Sequence, residues 1–432
     1  MATIELGELT PDRPELLPGA PGGWPRWPAV LAVLALMAAL AGSGPDPRGL
    51  PGTDVAAPVG ALVVLGGDRL FVADPSVEDP SRPRTSRLTV YRLPDGRKLT
   101  EQPLALPPLG PPDLVGRVGD MLLFTSWQSD PQQVFALDAA TGALRWRQPA
   151  RPAGITTAGH VLLAPPGPAE QPAPSRLWSV DAVTGAQQWS VDLPGGTMAS
   201  GRSDPLTERV SLLVHWLPTG RLVLLDPDSG RQVGARDVPP PTPDGELSVA
   251  AGLVLVGTPD GVTTAYGLDG LDRRWRRTGL VGRQSEWTDC AGLLCLADQQ
   301  LEALDPATGL TRWRQRPSRL AFHNGNALLV VDQDGRDPTG TFPVAVLDRD
   351  TGHVRAELGR WALVGTSGDG RRVYGVRYGH DGVSLVAVLD PIGATVRVLG
   401  ALRDLVGSCQ ARWDLLICLR TDSRLGIWRL TG

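Results

Sequence analysis

The sequence predicts an all-β protein built from four-stranded antiparallel units repeated in series, and three observations carry that prediction. A short phrase anchored on Asp and closed by Gly returns along most of the 432 residues. Between its returns lie short runs rich in Val and Leu, separated by Gly, Pro, Asp and Ser, with little helical periodicity. The anchoring Asp recurs at Asp138, Asp181, Asp226, Asp269, Asp305, Asp348 and Asp390 at spacings of 36 to 45 residues, the period of a repeated supersecondary unit.

The phrase reads Leu137-Asp138-Ala139-Ala140-Thr141-Gly142, and returns around Asp181 to Gly185, Asp226 to Gly230, Asp305 to Gly309 and Asp348 to Gly352. An Asp carboxylate can accept from backbone N–H groups two residues on, and Gly supplies a positive φ at no steric cost. The phrase is therefore expected to be the hairpin turn joining the third and fourth strands of each unit. Trp146, Trp189, Trp275 and Trp313 follow four to six residues later. One large flat residue per unit suits the wedge between neighbouring twisted sheets.

Taken together, Ala-Leu-Asp-Ala-x-Thr-Gly-x-x-x-Trp resembles the repeat of the pyrroloquinoline-quinone-type β-propellers, over about residues 60 to 432. The resemblance implies a β-propeller. It does not imply the quinone, because this family also contains scaffold and sensor propellers and the propeller subunit of the bacterial outer-membrane barrel-assembly machine. Many of its enzymes carry a disulfide between adjacent cysteines over the quinone, and some an additional haem domain with Cys-x-x-Cys-His; this chain has neither motif. Eight complete units can be drawn, with third strands near Thr89, Val134, Leu177, Leu222, Thr263, Leu301, Val344 and Leu385. Three more strands end near Leu430. An N-terminal strand drawn from Thr53 to Leu65 would close the ring. Eight blades are expected because that number is common in the family; a literal count allows nine.

Ala29 to Gly42 is an unbroken apolar run, flanked by Trp24, Arg26 and Trp27. With its flanks it approaches the length needed to span a bilayer. Its core is also short enough for a signal peptide, and Ala39-Leu40-Ala41 imitates a cleavage site. The long acidic stretch ahead of it favours an uncleaved signal-anchor. The expected organisation is a cytoplasmic tail over 1–23, a transmembrane segment over 24–44, a linker over 45–59 and the propeller over 60–432 on the extracytoplasmic side.

Four cysteines form two local pairs, Cys290 with Cys295 and Cys409 with Cys418, each across the turn between the first two strands of a unit. Matching placement in two repeats favours two cross-strand disulfides, with buried free thiols as the alternative. Disulfides fit an oxidising compartment. Neither pair has zinc-ligand spacing with a nearby His. Asp332, Asp334 and Asp337, around Gly335, form a weak Ca²⁺ candidate that lacks the distal Glu of a helix-flanked loop; Asp-Gly turn chemistry explains the same residues.

Other chemistry is sparse. His160, His215, His323, His353 and His380 fall in five different units, and Gly-x-Ser-x-Gly is absent. A net charge of −4, with Lys98 the sole lysine, gives no reason to expect nucleic-acid binding. Arg145 to Arg147, Arg273 to Arg277 and Arg312 to Arg316 fall on fourth strands, where charge discourages edge pairing; binding an anionic envelope polymer or lipid surface is the alternative reading. The expected function is a cofactor-free, non-enzymatic scaffold holding a protein or envelope ligand at the membrane. A quinone-dependent oxidoreductase is one rival. A sugar-binding propeller is the other, and it requires exposed Trp such as Trp127, Trp216 or Trp361.

Overall fold

Short apolar strands flanked by turns must bury both of their faces, and each unit does so as a meander. The computed structural model describes residues 49–430, apart from 59, 74–85, 105–112, 127–130, 168–175, 194, 196, 205–208, 243–244, 280–285, 299, 317, 333–334 and 380. The expected tail and transmembrane segment lie outside the described residues, as do Trp127, Asp334 and His380. Among the described residues there are 35 strands, and no helix is long and apolar enough to cross a membrane.

Antiparallel pairing groups these strands into nine four-stranded sets. The first set runs from Leu62–Gly66 to Arg97–Leu104, the second from Asp113–Val118 to Leu144–Pro149, and the third from Arg151–Thr156 to Gln187–Asp192. The fourth ends at Gln232–Asp237, the fifth at Arg273–Thr278 and the sixth at Thr311–Gln315. The long strand Val354–Thr366 serves twice, closing the seventh set and opening the eighth. The ninth set consists of Leu405–Arg412, Leu415–Arg420 and Arg424–Arg429, completed by Gly52–Ala56 from the other end of the chain.

These pairings differ from the expectation in two respects. Among the described residues the pairings draw nine four-stranded sets, the literal count that the sequence allows, where family habit favours eight; the three C-terminal strands and Gly52–Ala56 make up the ninth. The closing strand, Gly52–Ala56, overlaps the start of the stretch from Thr53 to Leu65 expected to close the ring, and falls inside the span 45–59 expected to be a linker. Its alternation is weak, but Gly52 pairs with Trp428 and Ala56 with Arg424, so the ladder supplies what the side chains do not.

Burial explains the order of strands within a set. Second strands are the most buried: Met121–Ser126, which ends in Thr125 and Ser126, and Leu253–Gly257 are buried at every position. Fourth strands form the outer edge and alternate, as in Arg273–Thr278, where Trp275 is buried between exposed Arg residues. Nine apolar clusters occupy the seams between successive sets among the described residues. Phe71 of the first set meets Leu122 and Phe135 of the second, and Tyr374 of the eighth meets Leu416 and Trp428 of the ninth. The circuit closes where Ile417 and Ile427 of the ninth set pack on Leu65 and Leu70 of the first. Gly49–Gly432 is accordingly one compact unit.

Candidate functional site

The recurring Asp caps its own turn. Asp138 Oδ1 accepts from the backbone N–H groups of Ala140 and Thr141, both at 2.9 Å, and Asp305 treats Ala307 and Thr308 the same way. Gly142 has φ of 73° and donates its N–H to the Asp138 carbonyl, so the hairpin closes with a residue in the left-handed region. Arg145, and the Thr141 and Ala140 N–H groups after it, hold the Asp138 carboxyl at about 2. Arg312 likewise depresses Asp305; the Thr184 N–H and hydroxyl depress Asp181, and the Thr351 hydroxyl and N–H depress Asp348. The fifth set departs from the expected pattern. Its turn bonds run from Gly267 to Leu271 and Asp272, so Gly267 holds the anchoring position and Asp269 projects outward.

Each repeat Trp is committed to the next set. Trp146 donates Nε1–H to Ala182 O at 2.8 Å, Trp189 to Asp228 O at 2.9 Å, Trp275 to Pro306 O at 2.9 Å and Trp313 to Arg349 O at 2.6 Å. Every acceptor lies in the Asp-to-Gly turn of the following set. The indole rests on the closing glycine there: a Cβ on Gly185, Gly230, Gly309 or Gly352 would come within 2.7 Å of the ring. The same Gly therefore serves the turn and the seam. Where the Trp is missing, Arg236 donates to Leu271 O while its guanidinium stacks on Tyr266.

Other residues singled out by the sequence are also engaged structurally. Asp337 accepts from the Thr339 and Thr341 hydroxyls and from Arg360; these hydroxyls in that order hold its carboxyl well below the ordinary range. Asp332 Oδ1 accepts from the Gly335 N–H in an Asx-type turn. His215 is buried with Nε2 against Gly195 O, and burial lowers its pKa. The sugar-site expectation fails for Trp216 and Trp361, which are 0% and 1% exposed because both fill seams. Cys290 is bonded to Cys295 and Cys409 to Cys418. The edge arginines answer nearby carboxylates: Arg145 pairs with Asp138, Arg274 with Asp272, and Arg314 with the buried Glu302 at 3.0 Å.

One end of the ring carries the first-to-second and third-to-fourth turns of the sets together. Backbone bonds from Ala139 to Asp120, Leu93 to Asp68 and Arg349 to Asn326 tie the two kinds of turn within a set. Asp228 accepts from Thr157 and Ala158, and Arg349 donates to Ala291 O, tying turns of adjacent sets. Among the described residues, most strongly exposed large apolar side chains gather at this end: Leu310 at 66%, Val183 at 57%, Ile392 at 53%, Val233 at 51%, and Leu144, Val354 and Trp413. Sequence reasoning passed over them. The available signal was an apolar residue within or just after a turn that otherwise uses Asp, Thr and Gly.

Known proteins share the repeat and the fold. The family described as outer membrane protein assembly factor BamB matches residues 84–315 and 218–364, together well over half of the chain. No curated protein matches it. Among solved structures, a eukaryotic initiation factor shares 13% identity over 84% of this chain and 94% of its own, with a TM-score of 0.52. BamB from Moraxella catarrhalis shares 15% identity over 88% of this chain and 100% of its own, with a TM-score of 0.44. The dihydro-heme d1 dehydrogenase NirN shares 15% over 84% and 76%, with a TM-score of 0.46. Likeness at these identities concerns the fold alone. The turn chemistry, the Trp seams and the matched segments agree: the chain belongs to the PQQ-like repeat β-propeller family described as outer membrane protein assembly factor BamB.

Proposed function

We propose that this chain is a non-enzymatic, nine-bladed scaffold whose turn-bearing end holds a protein partner, on the extracytoplasmic side of a membrane to which residues 24–44 anchor it. The observation that carries the proposal is the gathering of Leu310, Val183, Ile392 and Val233 on one end of a ring whose recurring Asp and Trp residues are spent on turns and seams. Exposed apolar side chains concentrated on one surface are the usual mark of a protein interface. The family description, an assembly factor, is consistent with a partner of that kind. Two disulfides fit an oxidising compartment. The rival reading needs a free carboxylate set for a quinone-bound cation, whereas Asp337 already serves Thr339, Thr341 and Arg360.

The test is photocrosslinking in cells, with a reactive residue placed at Val183, Leu310 or Ile392, and at Thr219 or Asp260 in turns of the opposite end. One discrete adduct shared by the first group and absent from the second is expected. Equal labelling at both ends sinks the assignment of the face. A saturable Trp quench by quinone with Ca²⁺ sinks the non-enzymatic reading.

A further inference from the structure

The turn between Leu405–Arg412 and Leu415–Arg420 is unlike its counterparts. A tight hairpin with two successive positive φ angles calls for Gly or Asn. Elsewhere each corresponding turn keeps a Gly in the left-handed region, at Gly67, Gly119, Gly252, Gly292 and Gly325, and where a second residue joins it there that residue is the small Ala251 or Ala291. In the ninth set the two positions hold Trp413 at φ 50° and Asp414 at φ 60°. A bulky residue held in this region is strained, and such strain persists where the surroundings over-determine it. Here they do: Tyr374 donates its hydroxyl to Asp414 Oδ1, and Leu430 donates its N–H to Asp414 O. The Arg412 guanidinium lies over the indole, 4.6 Å from its centre. The indole nevertheless stays 41% exposed, whereas the repeat Trp residues are packed into seams.

Trp413 forms one wall of a depression of about 490 Å³ where the ninth set meets the first. Leu93, Pro94 and Leu415 add apolar wall, and Asp68 and Arg429 stand at its rim. That volume falls in the usual range for a small-ligand site, roughly 300–1,000 Å³. Asp68 is 74% exposed and offers acceptors; Arg429 is exposed and offers donors. Asp414 also lines the depression and Arg412 lies over the indole, so two carboxylates stand with two guanidiniums and the site favours a neutral ligand that both donates and accepts. The lining comes from turns and strand ends and presents no open backbone ladder for an added peptide strand. We infer that this depression is a carbohydrate subsite: the indole of Trp413 stacks on the apolar face of a pyranose ring of a neutral glycan, and Asp68 and Arg429 bond its hydroxyls. The inference shares only the turn-bearing face with the scaffold reading, and it names a ligand class of its own.

The experiment uses the full-length chain and calorimetric titration with maltohexaose, cellohexaose and chitohexaose, with a heparin hexasaccharide as the anionic control. Trp413→Gly is the decisive variant, because it removes the indole and puts at this left-handed position the residue that the chain uses at Gly67 and Gly119. Saturable binding of at least one neutral hexasaccharide is expected. Trp413→Gly should weaken it roughly tenfold or more while the unfolding midpoint holds or rises. Asp68→Asn and Arg429→Gln should each weaken it by about threefold to tenfold. The assignment is overturned if no neutral hexasaccharide binds, if only heparin binds, or if Trp413→Gly leaves binding unchanged. Loss of the turn-face crosslink in Trp413→Gly without glycan binding would make the depression a protein anchor: the glycan assignment falls and the scaffold reading stands. Glycan binding with no crosslink from that face does the opposite: the subsite stands and the scaffold reading falls.

Discussion

The seam between the sixth and seventh sets and the seam that closes the ring solve one problem with different parts. In the first, Trp313 lies on Gly352 and bonds Arg349 O, and the same arrangement serves three other seams. In the second, Gly52–Ala56 is borrowed from the far end of the chain. Tyr91 donates its hydroxyl to Ala56 O at 3.2 Å, Arg420 pairs with Asp54 at 2.7 Å, and Cys409–Cys418 clamps the set that receives the strand. Trp428 fills the space that a side chain on Gly52 or Gly426 would occupy. A repeat can encode only an interface between like neighbours. Closure joins the first neighbour to the last, so it needs residues that occur once.

Trp313→Ala tests the repeated seam most severely. It removes a side chain only 7% exposed together with its bond to Arg349, and equilibrium unfolding should show a loss of about 3–5 kcal/mol. A loss under about 1 kcal/mol would show that the seam does not depend on its Trp. For the closing seam, the double variant Cys409→Ser with Cys418→Ser should lose about 2–3 kcal/mol through the freed chain entropy of the unfolded state. Amide exchange at Gly52–Ala56 should quicken in that variant more than exchange at Arg273–Thr278. The reverse order would mean that the ring opens elsewhere.

Turn capping is a smaller contribution spread over many sets. Asp305→Ala removes two backbone caps and the partner of Arg312, and should cost about 1 kcal/mol by denaturant titration. The pH dependence follows from Asp138, held at about 2 against an ordinary 3.8. Because the folded value is the lower one, its stabilisation is complete above the unfolded value and is lost as pH falls through about 2. Asp138→Asn should flatten that acid limb; an unchanged limb would place the acid sensitivity in other carboxylates. The smallest effect is expected at the closing strand, where Asp54→Asn weakens a partly exposed pair with Arg420 by about 0.5 kcal/mol, less at high salt.

Legibility in the sequence followed the range of the interaction. Every predicted third strand is present, and five of the anchoring Asp residues close their turns with the expected Gly, because these bonds join residues two to four apart. The cysteine pairing was legible for the same reason, its partners being five and nine residues apart. Asp269 was misplaced because Leu-Asp-Gly in the fifth set imitates the phrase two residues late, whereas hydrogen bonding selects Gly267.

The sequence by itself determined the all-β class, the repeat and the turn chemistry, since a hairpin's conformational preferences lie within its own few residues. Only the tertiary structure decided that the closing strand is the short Gly52–Ala56 and not the whole stretch from Thr53 to Leu65, because a weak strand becomes one when a ladder awaits it. It also decided which Trp faces solvent. Trp216, Trp361 and Trp413 are chemically identical, yet two vanish into seams and the third stands on a strained turn. Burial depends on partners brought from distant parts of the chain, and a side chain's local sequence does not carry that information.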